Sequence, residues 1–428
     1  MKPLYDLNKS FAENIIQGPF YDGSFFERQI PPQSQWHSLF GFSIMSGIGV
    51  AACPLTTTAK GVRMCSRLGY DIITYKTVAS RARAPHPHPN IAFVDGHSIR
   101  QDMLLDVPVV KIEKKDFYSR LNGLDKPILN GKQDFIKQIR ILRQVQGKQA
   151  RSVSFKKREK VVKSVRGELT ESIQRPILLA LTNSIGNASF DLQTNLTNIS
   201  RARAALLPGQ LLIVSVFGVA TPECSLVDDF AYLAAAVKDA GAQVVEANLS
   251  CPNVSCGVLS HDVVLVREVV ARMVGVLGAT PLTIKLAPYK NIQLMNEILC
   301  VAAHAGAQGV TGINSISVRA QCKDTASFFG AGREVSGLSG APIFGAACDF
   351  VRTACEINNK EMLDLTIIGT GGIVTSDDFE KMLQCGANAA MSATGAMWNA
   401  ELAMNYHKNM GNSYGKFTKQ ACARKAIV

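Results

Sequence analysis

The sequence predicts an α/β chain folded as a (β/α)8 TIM barrel, enlarged by an N-terminal extension and by a large basic insertion between the second and third barrel strands. Three observations carry that expectation. Short apolar, strand-like runs recur at residues 44–52, 71–76, 211–217, 243–249, 282–286, 309–313, 365–369 and 388–393. Helical patterns of roughly 10–17 residues lie between most of them, and strands alternating with such helices form parallel β/α units, eight of which close into a barrel. Gly241, Gly306 and Gly386 each follow a helical pattern, where a residue that tolerates a left-handed conformation is needed to end it.

Residues 1–42, with Pro31-Pro32 and several aromatics, have no clear periodicity and are expected to form an extension packed on the barrel. The first strand, 44–52, is apolar and small. After Pro54, Thr56-Thr57-Thr58 opens a helix that carries Val62, Met64, Cys65 and Leu68 and stops at Gly69. Residues 71–76 form the second strand. From about Ser80 to Ile177 the pattern is interrupted. Pro85-His86-Pro87-His88-Pro89 is too proline-bound for a helix or a central strand, and with no Cys or carboxylate beside them its histidines read as loop surface. Phe135, Ile139, Leu142 and Val145 recur at helical spacing among Lys and Arg, which predicts an amphipathic helix with a basic outer face. Further helices are expected at 225–240, 262–276, 292–305, 343–357 and 376–385. The chain thus divides into an extension (1–42), a barrel (43–84 and 176–410), an insertion (85–175) and a tail (411–428).

With 428 residues, 47% of them hydrophobic, the chain can bury a full-sized core as one enlarged domain. Its 11 cysteines are odd in number and scattered, which fits neither a disulfide framework nor a zinc or iron-sulfur cradle; no metal site is expected. A reduced, intracellular setting follows. The polar start, Met1 to Ser10, and apolar runs too short to span a bilayer predict a soluble cytoplasmic protein without membrane attachment. The net charge of +12 is concentrated, because residues 97–175 hold 19 Lys+Arg against 9 Asp+Glu. A solvated basic face is the simplest reading of that stretch, with RNA or another anion as the alternative partner.

The stretch Val244-Val245-Glu246-Ala247-Asn248-Leu249-Ser250-Cys251-Pro252-Asn253 reads as a buried strand running into a turn that holds a thiol between two carboxamides. Polar side chains at the C-terminal edge of a strand belong where this architecture keeps its chemistry. The alternative is a cysteine packed as a small hydrophobe. Asn314-Ser315 ends the sixth strand and Asn183-Ser184 ends the apolar run from Pro176 to Thr182, so Asn183, Asn248, Asn253 and Asn314 can surround one thiol. Carboxamides pair donors with acceptors and complement a planar heterocycle that alternates C=O and N–H groups. Singly, each is an ordinary turn residue.

Phosphate recognition needs backbone donors free of side chains, usually at a Gly-rich strand-to-helix turn. Gly371-Gly372 follows the seventh strand and Thr394-Gly395 the eighth, the customary phosphate positions of this architecture. Ser339-Gly340, just before another helix, adds a third wall. Lys76 and Lys285 lie at the ends of apolar strands, where a buried charge is costly unless it meets an anion or a hydrogen-bonded partner. A phosphate-bearing cofactor that gathers negative charge on its ring, as reduced flavin does, supplies that partner. A lysine reaching solvent from the strand end is the alternative.

These residues also carry a resemblance. Asn-Leu-Ser-Cys-Pro-Asn at 248–253, Ile-Lys-Leu-Ala-Pro-Tyr at 284–289, Ile-Asn-Ser at 313–315 and Ile-Gly-Thr-Gly-Gly-Ile at 368–373 resemble the dihydroorotate dehydrogenase family. So do Pro-Leu-Thr-Thr-Thr at 54–58 and Tyr-Lys-Thr at 75–77, and the likeness covers roughly 45–82 and 177–400 in the family's order. It implies an FMN-bearing barrel that oxidises dihydroorotate to orotate in pyrimidine synthesis. Cys251 would remove the C5 proton as the C6 hydride passes to FMN. Asn183, Asn248, Asn253, Asn314 and Ser315 would hold the pyrimidine. Ala52, Lys76 and Lys285 would lie against the flavin, and Ser339, Gly340, Gly371, Gly372, Thr394 and Gly395 would receive its phosphate.

Cysteine in the base position is similar to the soluble class 1 enzymes, which implies a homodimer or a chain working with a separate electron-transfer subunit. The sequence departs from the family's usual pattern at Ala51-Ala52-Cys53, where Ala-Ser-Gly is common, at Asn183-Ser184-Ile185-Gly186-Asn187, at Thr394-Gly395 and at Val254-Ser255-Cys256-Gly257. Two other flavin barrels are competing readings: a dihydropyrimidine-type reductase, and a dihydrouridine synthase-like enzyme gripping tRNA through the basic insertion. A third is a barrel without catalysis that binds RNA or a protein through that insertion, which salt-dependent RNA binding without flavin bleaching would distinguish.

Overall fold

The computed structural model describes residues 3–25, 27, 28, 30–96, 99, 107–112, 179–250, 252, 253, 257–321 and 327–411. Cys251 and the helix expected at 135–145 fall outside them. Strands β1 (Ile48–Val50), β2 (Ile72–Val78), β3 (Leu211–Val216), β4 (Val244–Asn248), β5 (Leu282–Lys285), β6 (Gly309–Gly312), β7 (Thr366–Thr370) and β8 (Ala389–Ser392) form a closed parallel barrel in chain order. Each falls on one of the eight expected runs, with β2 and β7 running two residues and one residue past the expected ends. The strands read as near-continuous apolar runs because helices cover their outer faces while the barrel interior takes the inner ones.

The helices Ala59–Arg67, Leu226–Asp239, Val263–Leu277, Ile292–His304, Phe344–Lys360 and Ser376–Gln384 answer the expected patterns. Side-chain caps begin several of them: Thr58 accepts from the Gly61 amide, Ser225 from Asp228 and Asp262 from Leu265. Gly241, Gly306 and Gly386 have φ of +110°, +103° and +110°, the left-handed geometry anticipated for them. A further helix, Leu192–Ala204, was not foreseen. It buries Asn195, Ile199 and Ala202, so no apolar stripe marks it. Among the described residues no helix is long and apolar enough to cross a membrane.

Two additions shape the barrel's ends. At the N-terminal end, an antiparallel hairpin (His37–Leu39 with Phe42–Ile44) sends Leu39 and Ile44 into an interior cluster with Ile72, Leu211, Ile213, Val244, Ile368 and Met391. At the other end stands a five-stranded sheet in the order Ile91–Phe93, Ala180–Asn183, Val335–Gly340, Ile316–Gln321, Val109–Lys111. Residues 336–340 are therefore a strand with alternating burial and not only a turn before a helix. The Pro85–Pro89 stretch lies outside helix and strand, as its prolines dictate.

The N-terminal extension is fastened by charge as well as by packing. Leu4, Tyr5 and Phe11 are buried. Arg28 donates to the Asp71 carboxylate at 2.7 Å, and Ser46 and Gln210 donate to the same fully buried carboxylate. Removing one partner of a buried ion pair leaves the other charge uncompensated. Arg28→Met is expected to lower stability by about 2–4 kcal/mol, read as a fall in thermal midpoint that Arg28→Lys recovers in part.

Candidate functional site

In a parallel barrel, residues in register on neighbouring strands point to the same side. Val244 belongs to the interior cluster, so Glu246 and Asn248 of β4 also point inward, and so do their register partners Ser215, Thr283 and Lys285. The interior is therefore apolar at its N-terminal end and polar above it. Thr283 and Thr311 approach within 3.3 Å, and Thr77 donates to Ser215 at 3.2 Å.

A hydrogen-bond relay crosses the mouth. Asn248 donates to Thr77 at 3.3 Å, Ser250 donates to the Asn248 carbonyl oxygen at 2.6 Å, and Asn314 donates to the Ser250 hydroxyl at 2.7 Å. Ser250 links two of the expected carboxamides and immediately precedes Cys251. The chain beyond folds back, Pro252–Asn253 pairing with Gly257–Val258, and the Ser260 amide donates to Leu249 O at 2.9 Å.

Asn183 and Ser315 meet at Gly337. Asn183 donates to Gly337 O at 3.1 Å, and the two residues are in register across the sheet. A Cβ on Gly337 would lie 2.4 Å from Ser315 Oγ and 3.3 Å from Asn183 Nδ2, so only glycine lets both side chains stand there.

The three glycine turns converge as well. Thr394 donates to Ser339 Oγ at 3.0 Å. Gly371 and Gly372 have φ of +118° and +79°, and a Cβ on Gly372 would fall 2.4 Å from both Phe344 N and Phe344 Cα, at the start of a 17-residue helix. A Cβ on Gly395 would come 2.4 Å from Ile373 O, and Ser392 fastens the same corner by donating to Ile373 O at 2.8 Å. Such bare backbone beside a helix N-terminus suits a phosphate.

Beside the relay lies a charge, Lys285 in register with Asn248. Lys285 is 5% exposed and has no hydrogen bond or ion pair among the described residues. Lys76 and Lys285 both act on Cys53, which follows β1 and Ala52. Burial pushes the Cys53 thiol up, and backbone hydrogen bonds and the two lysines offset part of that rise. Neither Cys53 nor Glu246 was singled out from sequence as a site residue. One departs from the family's pattern and the other is a single acidic letter in an apolar strand, which were the only signals. A buried cation with no contact ion pair among the described residues, three side-chain-free turns and a row of carboxamides together fit FMN, whose ring gathers negative charge on reduction and whose phosphate needs backbone donors.

A family model described as dihydroorotate dehydrogenase matches residues 175–408. The chain is 31% identical over 420 residues to the dihydroorotate dehydrogenase of Dictyostelium discoideum, spanning 96% of this chain and 98% of that protein. It is 29% identical over 250 residues to the putative dihydroorotate dehydrogenase A (fumarate) of Solibacter usitatus, spanning 58% of this chain and 75% of that one. Among solved structures, DHODH from Eimeria tenella in complex with ferulenol aligns with a TM-score of 0.59 at 16% identity, over 91% of this chain and 88% of that chain, a likeness of fold.

The glycine turns make a prediction of their own. Gly332 has φ of +76° with open space around it, whereas Gly372, at +79°, abuts the Phe344 backbone. Gly332→Ala is expected to cost about 1 kcal/mol from backbone strain alone, and Gly372→Ala at least about 3 kcal/mol because the close approach adds to it. Thermal unfolding of the two variants side by side measures the difference.

Proposed function

The chain belongs to the dihydroorotate dehydrogenase family of FMN-dependent oxidoreductases, and from that premise we propose that it oxidises dihydroorotate to orotate with Cys251 as the general base. The observation that carries this reading is the relay Thr77–Asn248–Ser250–Asn314. It fixes the residue before Cys251 from two sides and leaves further carboxamide edges for a polar, uncharged ring.

On this reading Asn183, Asn248, Asn253, Asn314 and Ser315 hold the pyrimidine by pairing with its alternating C=O and N–H groups. Ala52, Lys76 and Lys285 face the flavin ring, and Ser339, Gly340, Gly371, Gly372, Thr394 and Gly395 take its phosphate. Bound FMN supplies the acceptor for the electron pair that leaves C6. Cys251 removes the proton from C5. A thiol with an ordinary pKa of about 8.5 is mostly protonated at neutral pH, so the base is ready in only a small fraction of molecules until its surroundings favour the thiolate. Lys285 compensates negative charge gathered on the ring without moving a proton.

Purified yellow protein, mixed anaerobically with dihydroorotate, is expected to bleach near ~450 nm, where oxidised flavin absorbs. Fumarate, the acceptor in the name of the Solibacter usitatus relative, is the first compound to test for restoring the colour. Bleaching by a dihydropyrimidine and not by dihydroorotate would overturn the substrate assignment.

Cys251→Ser replaces the thiol by a hydroxyl of far higher pKa. Bleaching by dihydroorotate is expected to slow by about 10²–10⁴-fold at neutral pH, with Cys251→Ala at least as slow. The wild-type rate should rise with pH towards about 8.5 as thiolate forms, and the serine variant should still be climbing above that. Stopped-flow reduction across pH 6–10 (roughly the span between these groups) reads both effects.

A further inference from the structure

Glu246 is the acidic residue of the barrel interior that the proposed chemistry does not use. It is 1% exposed, and its Oε1 is buried with no hydrogen-bond partner. No ion pair or hydrogen bond reaches its carboxylate from any described residue. Buried polar atoms in folded proteins are nearly always paired, so a carboxylate oxygen left without a partner in the middle of a barrel calls for a physical role.

Its position supplies one. Glu246 is in register with Ser215 on one side and Thr283 on the other, and the next inward position beyond Thr283 on β5 is Lys285, itself in register with Asn248. The interior therefore holds, one step apart on adjacent strands, a carboxylate and an ammonium of opposite sign, both nearly fully buried. Among the described residues, Lys76 of β2 and the Cys53 thiol after β1 are the other titratable groups at this end of the interior. Two charges too far apart for a contact pair still act on each other strongly where water is excluded, since little dielectric separates them.

We propose that Glu246 is a positioning residue for Lys285: from one step below in the barrel it offsets the ammonium's charge, limits how strongly that charge favours the reduced flavin, and so keeps the potential of bound FMN low. A lysine alone against the ring would hold the electrons on it. A carboxylate behind the lysine eases their transfer to the next acceptor. The inference rests on the FMN reading above and adds to it a residue that touches neither ring nor substrate.

The test is the midpoint potential of FMN in the holoprotein, taken with reference dyes, for wild type, Glu246→Gln and Glu246→Met. Both variants remove the charge; methionine also removes the unpaired polar atoms and is the variant expected to fold if glutamine does not. Each should shift the reduction equilibrium at least tenfold towards reduced flavin, about 30 mV upward for a two-electron couple. Glu246→Asp should stay nearer the wild-type value than either. A structural role alone would change thermal stability or FMN content but not the potential of the flavin retained. A folded, FMN-loaded neutral variant within twofold of wild type, about 9 mV, overturns the inference while leaving dihydroorotate bleaching intact. Wild-type protein that takes up no FMN overturns the functional reading and this one with it.

Discussion

The constraint on which the rest of the structure depends is the register of a closed parallel barrel. Once eight strands close, alternate residues of every strand are committed to an interior with no exit to solvent along its walls. Ile72, Leu211, Ile213, Val244 and Ile368 fill the N-terminal half with Leu39 and Ile44 from the hairpin below. From Ser215, Glu246 and Thr283 onward the same inward positions are polar, so the interior changes from core to site within a few residues of each strand. The floor must be apolar and filled, because only a rigid floor holds hydrogen-bonding groups at fixed heights above it.

That floor is needed because the mouth is assembled from distant parts of the chain. Asn248 ends β4 and Ser250 follows it, Asn314 and Ser315 lie between β6 and the strand Ile316–Gln321, and Asn183 ends a strand of the added sheet. The sheet is an extension of the barrel's own connections: its strands at Ile91–Phe93 and Ile316–Gln321 follow β2 and β6 in the chain. Gly337 lies where Asn183 and Ser315 converge and Gly372 where a turn presses against Phe344. Both glycines serve a close approach, one of side chains and one of backbone.

Much of this was legible in the sequence, for reasons that differ from element to element. The barrel strands were readable because both of their faces are buried and the apolar letters run on without a break. The glycine turns were readable because a positive φ leaves glycine as almost the only choice. The added sheet was not, since Ile316–Gln321 alternates buried and exposed residues over a short span and pairs with segments at 109–111 and 335–340 that local pattern cannot connect. The helix Leu192–Ala204 hid behind a polar inner face, with Asp191 capping Thr194 as its only local mark. Asn183, Asn248, Asn314 and Ser315 could be singled out as candidates from their places after strand-like runs, and the structure brings Asn248 to Asn314 through Ser250 and Asn183 to Ser315 at Gly337. That Ser250 joins two of them, and that Glu246 beneath them keeps its Oε1 without a partner among the described residues, are facts of register and depth that a linear pattern does not hold.

The departure at Cys53 puts a thiol at the end of β1, and its surroundings decide what that thiol can do. Cys53 is buried, its amide donates to Thr56 Oγ1 at 3.3 Å, and its carbonyl accepts from the same hydroxyl at 3.1 Å. Burial raises its thiol, and the nearby Lys76 and Lys285 only partly counter that. At neutral pH such a group remains a protonated, weakly polar side chain, close in behaviour to the small residue common at this place in the family. The charges beside it are then those of Lys76 and Lys285. A thiol serves as a base only where its surroundings favour the thiolate, a condition that the buried end of β1 does not meet.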